Sequence, residues 1–309
     1  MLLRPLLRAA LLLLISSLLV FLAAAALPGD AVEVRSGGRA SAEQLAALRA
    51  EAGLDRPVLV RWADWLTGLL TGDLGRSLVT GREVADLVTG RLWVSSALVL
   101  GSLLVVVPLT AVLAWAGARG PAALRSIVSA GSTAVAALPQ VVVAVVLVAI
   151  FSVALDLVPP VSLLPAQAPW TRPDLLFLPV LTLALPTAAY TAALLRGALE
   201  DATGLPHVKD ARVRGLPRRT ILARYLVPAV APTAVRSFAV VTGSLIAGTT
   251  LVESVFGMAG LGELLVTSVG SRDAPVVQAV AMLVALAVVL GLWLADVVAV
   301  LTDPRGSHA

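Results

Sequence analysis

Six apolar stretches, each long enough to cross a bilayer, limit what this chain can fold into. A hydrocarbon core of roughly 30 Å takes about 20 residues of helix. Runs of that kind lie near Leu6–Leu27, Val94–Gly117, Leu124–Leu155, Leu175–Leu195, Val235–Val255 and Val276–Leu301. The composition agrees: 59% of residues are hydrophobic and 14% charged, against about half and a quarter in ordinary soluble domains. The expected fold class is therefore an all-α membrane protein with six transmembrane helices. Four prolines, Pro108, Pro139, Pro179 and Pro186, fall inside these runs. Neighbouring helices and hydroxyl side chains can satisfy the carbonyls they free. Pro139 sits in the middle of an over-long run, where a kink or tilt is expected.

The first run has a rival reading as a signal peptide, with Arg4 and Arg8 about its start and Ala24-Ala25-Ala26 as a cleavage site. Its apolar core is longer than a usual signal segment, so it is read as a retained anchor. Absence of cysteine removes disulfides, thiolate nucleophiles and Cys-ligated zinc. The two histidines, His207 and His308, form no HExxH pattern. A formal charge of +4 and a pI near 10.5 reflect arginines placed between apolar runs, where they set topology rather than bind nucleic acid.

With the N-terminus cytoplasmic, the short inside segments carry Arg4, Arg8, Arg119, Arg125, the cluster from Arg196 to Arg236, and Arg305. The short outside loops carry only Arg172 and Arg272. Both termini are then cytoplasmic, as an even number of spans requires. The chain divides into a first span (1–27), an external loop with short helices (28–91) and a five-span core (92–309) that includes a basic cytoplasmic loop (197–233). The external loop is amphipathic around Ala42–Arg49 and Val58–Leu70, which places Trp62 and Trp65 at the membrane interface.

The cytoplasmic loop reads as a docking element. Pro206 can open a short helix. Val208 and Ala211 then share one face, and Lys209, Arg212 and Arg214 project elsewhere. Gly215 stops the helix, and Leu216-Pro217 turns the chain into a second helix near Arg218–Val227, ahead of Pro228. A topology-setting basic loop is the plainer alternative; a glycine-separated pair of short helices adds the rigid, protruding element that a soluble partner needs.

This segment, with Lys209-Asp210-Ala211 before Gly215 and Leu226-Val227-Pro228 after it, resembles the EAA loop of bacterial ABC-importer permeases. Lys209 stands where the general motif has Glu. The match from His207 to Leu216 is nearer the dipeptide/oligopeptide/nickel branch. Further stretches resemble that branch in order along the chain: Leu27-Pro28-Gly29-Asp30, Gly53-Leu54-Asp55-Arg56-Pro57 and Gly72-Asp73-Leu74-Gly75-Arg76-Ser77 come first. Leu183-Ala184-Leu185-Pro186 with Tyr190 and Arg196 follows, then Glu253-Ser254-Val255-Phe256 with Gly260-Leu261-Gly262, and Asp296 with Leu301 to Arg305.

The resemblance implies a type I importer permease fold with a coupling loop formed by Leu205, His207, Val208, Lys209, Asp210, Ala211, Arg212, Arg214, Gly215 and Leu216. It also implies short peptides as solute, moved by alternating access, with a nickel chelate as the alternative. The implied partners are a homologous permease, two ATPase subunits, an extracytoplasmic solute-binding protein and the bacterial inner membrane. No GxxxxGK[ST] run occurs, so this chain is expected to bind no cofactor and to catalyse nothing, with ATP and Mg held by the partners.

Other residues carry structural or gating expectations. Asp296, shallow in the sixth span, is expected to pair with an inner-leaflet arginine such as Arg196. Glu253 either faces a solute path or reaches the interface. Gly257, Gly260 and Gly262 form a turn or a short gating element. Arg212, Arg214, Arg218 and Arg219 face ATPase acids or anionic lipid. An intramembrane protease lacks its His or paired Asp, and a self-contained channel lacks a charged ring or filter.

Overall fold

The computed structural model describes residues 3–26, 41, 43–44, 55–164 and 169–302. Predictions at Leu27-Pro28-Gly29-Asp30, at Gly53-Leu54, at Asp303-Pro304-Arg305 and for most of Ala42–Arg49 fall outside the described residues. The long helices are α1 (Leu3–Ala25), α3 (Val84–Arg119), α6 (Pro173–Gly204), α9 (Val227–Phe256) and α11 (Ala274–Thr302). Shorter ones are α2 (Val58–Thr71), α4 (Ala122–Ala137), α5 (Gln140–Leu147), α7 (Pro206–Val213), α8 (Arg218–Ile221) and α10 (Leu261–Gly270).

Five helices are long and apolar enough to cross a membrane, and α4 with α5 and its π-helical extension Val148–Ala154 makes a sixth crossing bent by 107°. Connectivity requires that bent pair to cross. Arg119, ending α3, lines the same cleft as Arg212 beyond α6. Ser162, beyond the bent pair, bonds through its N–H to the Phe256 carbonyl at the far end of α9 and through its hydroxyl to the Leu175 carbonyl at the start of α6. The chain therefore moves from one membrane face to the other between 120 and 162.

The prolines behave differently for physical reasons. Leu138 is extended (φ −73°, ψ 133°), as a residue before proline prefers, and the helix breaks at Pro139. Pro108, Pro179 and Pro186 stay inside their helices. For Pro179 the compensation is visible: the carbonyl it leaves without a donor, that of Leu175, accepts the Ser162 hydroxyl at 2.7 Å.

Two predicted boundaries are corrected. α3 begins at Val84, ahead of the predicted Val94, and α6 runs to Gly204, past Leu195. A helix keeps its hydrogen bonds beyond the hydrocarbon, where hydropathy no longer marks it. At 1.5 Å per residue, the 36 residues of α3 span about 54 Å, well beyond a bilayer core. The helix expected to stop before Pro228 does not stop either. A π-helical turn, Leu222–Leu226, joins α8 to α9, and a widened turn accommodates a proline without ending the helix.

The core lies where α3, α5, α6 and α9 meet around Leu98, Val106, Leu178, Leu183, Leu245 and Phe256. Leu19, Leu104 and Val153 point outward, with Leu104 77% exposed. Such apolar surface is what lipid covers. α1 packs along α11, and α2 lies against α1 through Trp62 Nε1 donating to Ser17 Oγ at 3.3 Å and the Phe21–Trp65 ring contact at 5.7 Å.

Candidate functional site

Two structures stand at opposite ends of the bundle. At one end α7 projects from α6. Pro206 is its first residue, and Leu205 accepts the N–H groups of Val208 and Lys209 at 3.1 Å. Val208 and Ala211 are buried against Ala202, Leu195, Ile221 and Leu226, so α7 is clamped onto the bundle by one face. His207 stacks on Tyr225 at 6.1 Å. Lys209, Asp210, Arg212 and Arg214 are exposed, Asp210 pairing with Arg214 at 2.9 Å. Val213 is 87% exposed, a β-branched apolar side chain in water on an otherwise polar surface.

Gly215 closes α7 with φ +73°. Its N–H bonds to the Arg212 carbonyl at 3.0 Å, and that of Leu216 bonds to the Ala211 carbonyl at 3.2 Å, a left-handed C-terminal cap. A side chain at Gly215 meets nothing within 4 Å, so the demand for glycine is conformational.

At the other end, Glu253 is fully buried. Its carboxyl group accepts the Ser95 hydroxyl at 2.6 Å, the Gly262 N–H at 2.7 Å and the Glu263 N–H at 3.2 Å, while Leu261 N–H donates to Ser95 Oγ at 2.8 Å. The first N–H groups of α10, which no helical carbonyl satisfies, are thus met by one acid and one hydroxyl. A Cβ on Gly260 would lie 2.3 Å from the Glu253 carboxyl, and one on Gly262 would lie 2.3 Å from Thr250 Cα. Ion pairing of Arg91 with Glu263, and the Ser77 hydroxyl and Leu78 N–H both donating to Asp273, tie α3 and the Gly72–Ser77 loop to the same cap.

Beneath this cap a groove of about 410 Å³ opens between α3, α9, α10 and α11. Ser95, Ser96, Thr249 and Thr250 supply its hydroxyls, and the remaining lining is apolar apart from Gly262.

This architecture meets a matching sequence family. The family model described as binding-protein-dependent transport system inner membrane component matches residues 107–308, and the N-terminal model of the same membrane component matches residues 1–114. The chain belongs to this family. It is the permease subunit of an ABC importer. Among its relatives is a Brucella abortus (strain 2308) protein named as a peptide transport system permease, 30% identical over 94% of each chain. Another is the glutathione transport system permease protein GsiC of Salmonella typhimurium (strain LT2), also 30% identical over 94% of each. GsiC of Escherichia coli O6:H1 is 29% identical over 94% of this chain and 93% of its own.

In this permease the predicted site residues fall into three groups. Leu205 to Leu216 gather on and around α7. Glu253, Gly260 and Gly262 form the cap at the opposite end. For Glu253 the expected reach to the interface is corrected: its carboxyl is buried, because the donors of α10 fold back over it. Asp296 pairs with an arginine from the end expected to be cytoplasmic, but that arginine is Arg8 and not Arg196, which corrects the named partner. Arg196, on α6, faces α4, donating to Ser129 and lying 3.9 Å from Glu200. Asp296, on α11, faces α1 and lies 3.4 Å from Arg8. Helix neighbours decided the partner, since α11 packs on α1 and not on the α4 side of α6.

Ser95, Asp273 and the Arg91–Glu263 pair escaped sequence reasoning. Adjacent serines, Ser95-Ser96, in an apolar run carry no periodic signal, and the other three lie among ordinary loop and helix-end charges. Val213 escaped as well, since a valine in a basic loop reads as filler.

Gly215→Val forces a β-branched residue into the left-handed region, at a cost of order 1–3 kcal/mol. Insertion of the permease should be unaffected, with ATP hydrolysis by the assembled importer persisting and solute uptake reduced severalfold. Uptake assays on membranes matched for permease content check this, and normal uptake means that the cap does not set the orientation of α7.

Proposed function

We propose that this permease forms half of an inward path for short peptides, paired with a homologous permease in a heterodimer. Two ATPase subunits dock on α7 from the cytoplasm, hold ATP and Mg, and drive alternating access as their closure pushes on the helix. An extracytoplasmic solute-binding protein delivers the peptide to the capped end. Both termini are cytoplasmic, on the side where the short connections concentrate arginine.

The observation that carries this reading is α7 itself. It is anchored through Val208 and Ala211 and offers Lys209, Asp210 and Val213 to solution, which suits transmission of force from a rigid partner to α6 and α9. The relatives named for peptide and glutathione transport favour peptides as the solute class. A groove of hydroxyls and apolar side chains suits uncharged contacts to a peptide of variable sequence.

Mild-detergent isolation of the permease from its native membrane, with partners identified by mass, is the direct test. The expected recovery is a second six-span permease and P-loop ATPases, and deletion of Leu205–Arg214 should leave the ATPases behind. Recovery of this chain alone, across several detergents and with ATP present, would count against the assembly. Uptake of labelled di- and tripeptides, run beside nickel with and without a chelator, then assigns the solute; uptake of nickel without peptide uptake would replace the peptide reading.

A further inference from the structure

A cleft of about 570 Å³ lies between the end of α3 and the α7–α8 turn, and three guanidinium groups line it: Arg119, Arg212 and Arg218. They sit close enough for Arg212 and Arg218 to act electrostatically on Arg119. The nearby acids are engaged elsewhere, Asp210 with Arg214 at 2.9 Å and Glu200 with Arg196 at 3.9 Å. Among the described residues no carboxylate pairs with any of the three.

Three like charges facing one cleft repel one another unless an anion joins them. The rest of the lining is apolar, formed by Trp115, Leu216, Ile221, Leu222 and Leu226. Trp115 lies one turn before Arg119 on α3, toward the membrane interior, and is 43% exposed. Leu222 and Leu226 extend the same wall toward the start of α9. The cleft therefore has a cationic mouth at the membrane surface and an apolar wall running into the hydrocarbon, the profile of an amphiphile.

We propose that this cleft binds the phosphate headgroup of an anionic inner-leaflet phospholipid, its acyl chains lying against Trp115 and Leu222. Basic pockets between helices at the cytoplasmic surface recognise such headgroups. An acidic side chain from a soluble partner would meet the arginines and leave the apolar wall without a purpose. The inference is independent of which solute the importer carries.

The full chain with its co-purifying subunits, placed in nanodiscs, provides the test. Brominated phosphatidylglycerol is compared with brominated phosphatidylcholine as a quencher of tryptophan fluorescence. The Trp115→Phe variant isolates that residue from the other tryptophans. Stronger quenching of Trp115 by the anionic lipid is expected, the preference falling about fivefold for each charge removed in Arg212→Gln and Arg218→Gln. Arg212→Lys should retain most of it. Equal quenching of the wild type by the two lipids overturns the proposal, and so does a preference that vanishes whenever the ATPases are bound, which would assign the arginines to the protein interface. Millimolar inorganic phosphate should leave the preference intact; its loss would make free phosphate the ligand.

Discussion

Glu253→Leu is expected to unfasten the cap of this permease and abolish transport while leaving the chain in the membrane. The substitution roughly preserves size and removes the acceptor of three hydrogen bonds, from Ser95, Gly262 and Glu263. A buried donor left without a partner costs about 1–3 kcal/mol, so the loss lies at roughly 2–6 kcal/mol, allowing for the partly buried Glu263 N–H. At about 2 °C per kcal/mol for a chain longer than some 250 residues, the melting temperature in detergent should fall by roughly 4–12 °C. Limited proteolysis should open the α9–α10 turn.

Gly262→Ala should be at least as damaging, because its Cβ would lie 2.3 Å from the Thr250 Cα, which is backbone and cannot rotate away. Gly270→Ala, where a Cβ meets nothing within 4 Å, is the matched control. Melting and uptake unchanged in Glu253→Leu would mean that the cap has no part in holding the external end together.

The second large effect is expected at Val213. Its side chain is 87% exposed and contributes nothing to the stability of the isolated chain, so Val213→Asp should shift its melting temperature by no more than a neutral surface change. If α7 enters a groove on the ATPase, that same change buries a charge at the contact. A central apolar anchor of this kind is worth about 2 kcal/mol or more, equivalent to roughly thirtyfold in ATPase affinity. Titration of purified ATPase onto the permease in nanodiscs measures it directly. Val208→Asp provides the contrast: Val208 is fully buried, so its replacement should lower the stability of the permease before any partner is added. Equal ATPase affinity for Val213→Asp and wild type would place the dock elsewhere.

The apolar runs were legible because bilayer thickness sets their length and local composition reports it. Their ends were not, since the polar first turns of α3 and the last turns of α6 are helical for hydrogen-bonding reasons that hydropathy does not record. The short helix α7 was legible too. Pro206, the Val208–Ala211 spacing and Gly215 are local signals, and their geometry needs no distant residue.

The prolines mark the boundary between the two kinds of information. Each was visible in the chain, and each removes one donor. That α6 runs on through Pro179 while Ser162, from another segment, takes up the carbonyl it frees is visible only in the folded chain.

Local sequence thus determined the membrane class, the count of crossings and the shape of α7, because spacing along one segment is enough to encode them. Tertiary structure alone decided that Glu253 holds the start of α10, that Asp296 faces Arg8 and not Arg196, and that Arg119 meets Arg212 and Arg218 across a cleft. A charged side chain in a membrane takes the partner that helix packing brings within a few ångströms, and packing is a property of surfaces that no single stretch of sequence contains.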